Sequence, residues 1–66
     1  MDIIFNGATE ALADGATVQD LLAQVKLQDR RVAVEVNGEI VPKSFHASHV
    51  LGAGDTVEIV HALGGG

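Results

Sequence analysis

The chain has 66 residues, of which 47% are hydrophobic, and a formal net charge of −5 from four basic and nine acidic side chains. This length allows one small domain, and the hydrophobic fraction argues against disorder. The acidic balance disfavours binding to nucleic acid or to an anionic membrane, since both need a basic surface. The absence of cysteine excludes disulfides, thiolate metal sites and cysteine nucleophiles. Because the first residues form neither a basic segment nor a long apolar run, we expect no signal peptide, no membrane-spanning segment and a cytoplasmic location.

The first predicted element is a β-hairpin. Residues 1–6 alternate, which puts the odd-numbered apolar side chains on one face of a strand. Asn6 and Gly7 come next, and this pair is typical of a type I′ turn because both residues accept positive φ angles. Residues 8–13 are therefore predicted to form the return strand.

A single amphipathic helix is predicted to follow the hairpin. Thr17 is suited to the N-cap, and Asp20 stands three residues later in the capping-box position. Apolar residues recur at i, i+3, i+4 and i+7, a spacing that predicts about two to three helical turns. These residues are Val18, Leu21, Leu22 and Val25.

Three more strands are predicted in the second half of the chain. Residues 31–36 alternate, and the pair Asn37 and Gly38 indicates a second tight turn into a short strand at 39–41. Residues 43–50 are predicted to be irregular with a single helical turn, and 56–61 form the last strand. The side chains predicted to face the core are Val32, Val34, Val36, Val57 and Ile59.

The order of elements, β-β-α-β-β-β, predicts an α+β fold. The first and last strands are the most regular, so we expect them to pair in parallel at the centre of the sheet. We expect residues 1–61 to form the domain and residues 62–66 to form a flexible tail. That tail ends in Gly64, Gly65 and Gly66, which add no side chain and are costly to order. The carboxylate of Gly66 is the candidate reactive group.

Several segments in combination carry a resemblance to a known family. One is the run Asn37-Gly38 followed by Val41-Pro42, another is Gly54-Asp55 leading into Val57, and the third is the glycine end. With residues 3–7 and 17–22, these make the chain resemble the ubiquitin-like β-grasp sulfur carriers, and among them the ThiS carriers of thiamine biosynthesis.

The resemblance implies a ubiquitin-like β-grasp fold, with a mixed sheet of four to five strands and one main helix. It also implies that an E1-like enzyme of the ThiF type adenylates Gly66. A sulfur donor such as a cysteine desulfurase then converts it to a thiocarboxylate, which delivers sulfur to a thiazole synthase of the ThiG type. Gly64 and Gly65 would complete the tail motif, and the chain would be no enzyme and need no cofactor or metal of its own.

Affinity for these partners is expected on the globular body, because ordering a glycine tail costs conformational entropy. Alternation places a mixed apolar and acidic set on the outer face of the sheet, and such a patch fits a protein partner. The predicted docking residues are Ile4, Ala33, Glu35, Glu58 and Val60.

Two other interpretations stay open at this point. The chain could be a carrier of the molybdopterin-synthase small-subunit type, or a passive ubiquitin-like interaction module whose tail does no chemistry. His46 and His49 stand at i, i+3, but with no third ligand placed beside them they are expected to be solvated rather than metal ligands.

Overall fold

The fold is built on a mixed five-stranded sheet with the strand order β2-β1-β5-β3-β4. The computed structural model describes the backbone of residues 1–61 and the side chains of residues 1–60, so the predicted tail at 62–66 lies outside it. The elements are β1 (Asp2–Phe5), β2 (Ala8–Ala11), α1 (Val18–Gln24), β3 (Val32–Val36), β4 (Glu39–Val41), a 3₁₀ turn (Lys43–Phe45) and β5 (Thr56–His61).

The last strand lies at the centre of the sheet. It pairs in parallel with β1, where Ile4 is opposite Thr56 and Phe5 is opposite Val57. On its other side it runs antiparallel to β3 over the full length of that strand. The α+β class and the parallel pairing of the first and last strands are thus confirmed.

Both predicted Asn-Gly turns are present and close two-residue hairpins. Asn6 has φ of 49° and Gly7 of 86° between the paired residues of β1 and β2, and Asn37 and Gly38 have 52° and 87° between β3 and β4. Positive φ at both central positions defines the type I′ turn, whose twist matches that of the flanking strands. The first return strand ends at Ala11, two residues before the predicted end, because the next turn begins at Ala13, whose carbonyl accepts from Ala16 N.

Helix α1 is capped at both ends. Asp20 N donates to Thr17 Oγ1 at 3.2 Å and Thr17 N donates to Asp20 Oδ2 at 2.9 Å, which completes the predicted capping box. At the other end Lys26 N donates to Ala23 O and Leu27 N to Leu22 O, the two hydrogen bonds of a Schellman motif. Such a motif needs a left-handed residue, and Lys26 supplies it with φ of 64°.

The core lies between α1 and the inner face of the sheet. Val18 and Leu21 of the helix are fully buried, as are Ile3, Val34 and Val57 of the three central strands. Every side chain predicted to face the core is buried or packs against it, as the burial pattern confirms. Leu12, Ala16 and Leu51, which belong to no regular element, are also buried and are part of the same core.

Candidate functional site

The candidate site begins where β5 leads toward the three terminal glycines. β5 is flanked by β1 up to Val57 and by β3 up to His61, so the segment that carries the glycines continues from the centre of the sheet. Gly64, Gly65 and Gly66 lie outside the described residues, and their roles stay predictions.

The five predicted docking residues lie on the outer face of the sheet, away from α1. Ile4 is 37% exposed and Val60 44% exposed, while Ile3 and Val57 beside them point inward and are fully buried. Ala33 and Glu35 are half-buried and Glu58 is exposed. The pairing of β3 with β5 puts Ala33 opposite Val60 and Glu35 opposite Glu58. The fold therefore brings these five side chains together on one side of three adjacent strands. We call this side of the sheet the outer face.

Ile40 also belongs to the outer face, and the sequence prediction missed it. It is 56% exposed and lies opposite Glu35 in the pairing of β3 with β4. Its neighbour Val41 is buried, so alternation in this short strand was the signal that could have found it. Ile40 extends the apolar part of the outer face to the β4 edge.

Two glutamates lie opposite each other on the outer face. Glu35 and Glu58 are directly opposite across neighbouring strands, an arrangement in which like charges repel. Within the described part of the chain, the one ion pair joins the N-terminal amine of Met1 to Asp14, so no lysine or arginine there neutralises either glutamate. A basic side chain brought by a partner would find two acceptors here, with apolar surface beside them.

Side-chain amides from the two Asn-Gly turns hold β5 in place. Asn37 Oδ1 accepts from Thr56 N at 2.9 Å, and its Nδ2 donates to Asp55 Oδ1 at 3.1 Å. Asn6 Oδ1 accepts from Ile59 N at 2.9 Å. The second turn thus binds the first residue of β5, and the first turn binds its fourth residue.

His46 corrects the expectation of solvated histidines. The residue is 7% exposed, and Nε2 lies 3.0 Å from Val41 O. Because a carbonyl only accepts, Nε2 carries the hydrogen of this bond. The backbone around it also caps α1, since His46 O accepts from Gln19 N and His49 O from Val18 N. Among the residues described, no group of three or more histidine and acidic side chains could hold a metal ion.

A groove of about 330 Å³ lies on the opposite side of the molecule, between α1 and the 3₁₀ turn. Its apolar lining is Leu22 and Ala23, and its polar lining is Gln19, Gln28, Lys43 and His46. None of the predicted docking residues lines it, so it is separate from the outer face.

No helix in the described residues is long and apolar enough to cross a membrane.

Comparison with known proteins identifies the family. The model of the ThiS family matches residues 3–66. The sulfur carrier protein ThiS of Escherichia coli is 33% identical over the whole of both chains. The chain is also 42% identical to part of a thiazole synthase of Paramagnetospirillum magneticum, and it spans 20% of that protein's length.

A solved structure agrees with this assignment. The crystal structure of a thiamine biosynthesis protein, ThiS, from Geobacter metallireducens superposes with a TM-score of 0.87 at 32% identity, over the whole of both chains. Its likeness confirms the β-grasp arrangement of five strands and one helix. The chain belongs to the ThiS family of sulfur carrier proteins.

Proposed function

We propose that this chain carries sulfur for thiazole formation in thiamine biosynthesis, as a thiocarboxylate on Gly66. The observation that carries the proposal is the family match, which extends through all three terminal glycines to residue 66. In this role the chain is a substrate and carrier rather than a catalyst. Residues 62–66 enter the active site of each partner, while the domain at 1–61 stays outside.

The chemistry follows from the properties of a carboxylate. An α-carboxyl group has a pKa of about 3.3–3.7, so at neutral pH it is ionised and a poor electrophile. Reaction with ATP gives an acyl-adenylate and releases pyrophosphate. The terminal sulfur of a persulfide then attacks the acyl carbon, and AMP leaves. A thiol next attacks the donor's own sulfur and forms a disulfide with it, which breaks the acyl disulfide and frees the thiocarboxylate. Glycine suits these attacks because it has no Cβ to crowd the carbon.

The proposed partners are an E1-like adenylating enzyme of the ThiF type, a sulfur donor such as a cysteine desulfurase, and a thiazole synthase of the ThiG type. The likeness to part of a thiazole synthase supports the last of these, since that enzyme holds a segment similar to this whole chain. The reaction consumes ATP, so we propose the cytoplasm as its location.

The outer face is the proposed docking surface for these partners. Apolar side chains surround the paired carboxylates of Glu35 and Glu58, and Ile4, Ile40 and Val60 are the largest of them. Desolvated apolar contacts supply affinity in protein interfaces, and charge complementarity supplies association rate and specificity. The partner surface should therefore present a basic side chain flanked by apolar groups.

The proposal is tested by intact mass after incubation with the adenylating enzyme, ATP and a sulfur source. We expect a gain equal to the exchange of one oxygen for sulfur, located at Gly66 by fragmentation. The same chain with its terminal carboxylate blocked as an amide should show no gain and no ATP–pyrophosphate exchange, while its unfolding midpoint stays unchanged. Exchange catalysed with the amidated chain, or no mass gain in the unblocked chain, would overturn the assignment.

A further inference from the structure

Asn6 makes a contact that its position in a turn does not require. Its backbone N–H donates to Val57 O at 2.9 Å, which is the last ladder bond between β1 and β5. Its side chain then reaches further along β5, and Oδ1 accepts from Ile59 N at 2.9 Å. Because N–H is a donor, the amide atom facing it must be the oxygen, which also fixes the orientation of the amide group.

The contact from Asn6 lengthens the part of β5 that is hydrogen-bonded on both of its edges. After Asn6 the chain turns back into β2, so no further residue of β1 can pair with β5. Without the amide, the β1 side of β5 would be bonded only up to Val57. With it, β5 is bonded on the β1 side up to Ile59, two positions closer to the glycines, while β3 continues alongside to His61.

We infer that Asn6 is a positioning residue for the reaction at Gly66, because it fixes the direction in which β5 leads into the terminal segment. This inference rests on the proposed function. Gly66 must reach the partner's active site from the docked body of the protein, so losing a hydrogen bond near the end of β5 should act on turnover rather than on affinity. Docking through the outer face should not depend on it.

The chain provides a matched control in its second Asn-Gly turn. Asn37 has nearly the same backbone φ, and its Oδ1 also accepts from a β5 amide at 2.9 Å, but at Thr56, the start of the strand. In N6G and N37G a Gly-Gly pair keeps the type I′ turn and removes the side-chain acceptor. In N6D the carboxylate keeps an acceptor and Asp-Gly still suits the turn, so this variant should restore function.

The experiment measures amide hydrogen exchange of Ile59 in the free protein, and kcat and KM for adenylation by the ThiF-type enzyme. All assays are run below the unfolding temperature of the least stable variant. One hydrogen bond corresponds to roughly a two- to tenfold effect. We expect N6G to speed exchange at Ile59 and to lower kcat by about that factor with KM unchanged. We expect N37G to keep kcat although it loses a second hydrogen bond to Asp55.

The outcomes distinguish a failure of the positioning role of Asn6 from a failure of the proposed function. If N6G and N37G lower kcat equally, if N6D fails to restore it, or if N6G speeds exchange without lowering kcat, Asn6 is only a structural residue. If the wild-type chain is not adenylated at all, the proposed function is wrong and the inference falls with it.

Discussion

At the scale of single residues, asparagine contributes both a backbone conformation and a side-chain acceptor to this fold. Asn6 and Asn37 adopt positive φ, which few residues other than glycine do readily, and each uses Oδ1 to bind β5. Glycine could adopt the same backbone conformation, but it has no side chain to accept the hydrogen bond. Lys26 also has a positive φ, but no side-chain hydrogen bond of Lys26 is seen in the described residues. The strain of its backbone conformation is therefore not offset by a side-chain hydrogen bond.

We predict that Lys26→Gly stabilises the protein. A residue with a Cβ in the left-handed region costs about 1–2 kcal/mol, and glycine avoids this cost but loses about 0.5–1 kcal/mol through its freer unfolded chain. The expected gain is therefore up to about 1.5 kcal/mol in the free energy of unfolding, measured by urea denaturation. Lys26→Ala is the control, since it removes the same charge and keeps the strain. Equal stability of the two variants would show that the backbone conformation is not the cause.

At the scale of elements, α1 depends on its surroundings because seven residues are too few for a stable isolated helix. Its first N–H groups are bonded to the carbonyls of His46 and His49 and to Thr17 Oγ1, and its inner face is buried against the sheet. The segment after β4 is thus part of the helix cap. This also explains why His46 is buried.

We predict that Leu21→Ala destabilises the protein by about 2–5 kcal/mol, because Leu21 is fully buried and its loss leaves a cavity. That is a large part of the stability of a domain this small. Gln19→Ala on the exposed side of the same helix is the control and should stay within about 0.5 kcal/mol. Both values come from urea denaturation monitored by far-UV circular dichroism. A cost below about 1 kcal/mol would mean that the site repacks.

The elements that local patterns specify were predictable from the sequence, and those set by tertiary contact were not. Asn-Gly pairs and the Thr17–Asp20 capping box each act within a few residues, so the hairpins and the helix start were recovered. The burial of His46 depends on a loop folding over the helix N-terminus, which no periodicity encodes. Ile40 was missed because three residues of β4 give a weak alternation. The position of the predicted docking residues on the outer face followed from strand alternation, but the opposition of Glu35 and Glu58 needed the register.

At the scale of the whole molecule, the two sides of the sheet differ in the side chains that they carry. The inner side carries the helix and nearly all of the buried apolar side chains. The outer face carries exposed aliphatic side chains beside the opposed glutamates Glu35 and Glu58, and the chain as a whole has a net charge of −5. We expect repulsion between Glu35 and Glu58 to lower the free energy of unfolding of the free protein. A basic partner would remove that repulsion on binding, so the pair should favour association at the expense of stability.

We predict that Glu58→Lys changes stability and association in opposite directions. Opposite charges across strands stabilise by roughly 0.2–1 kcal/mol where like charges destabilise, so the free energy of unfolding should rise. Association with the adenylating enzyme should become slower and less dependent on salt, because charges near an interface act mainly through the association rate. Stopped-flow association over a salt series measures this, since screening grows as the Debye length falls to about 8 Å at physiological ionic strength.

The control for this last prediction is Asp29→Lys, which makes the same change in net charge at an exposed residue of the connection between α1 and β3. If the outer face is the docking surface, Asp29→Lys should slow association less than Glu58→Lys, because steering depends on where the charge lies as well as on the total.

Ile40→Ala separates the apolar contribution to docking from the charge contribution. Loss of a desolvated contact should raise the dissociation rate and leave the salt dependence unchanged. Equal slowing by the two lysine variants would mean that total charge alone steers the encounter. An unchanged dissociation rate in Ile40→Ala would show that the docking surface does not include β4.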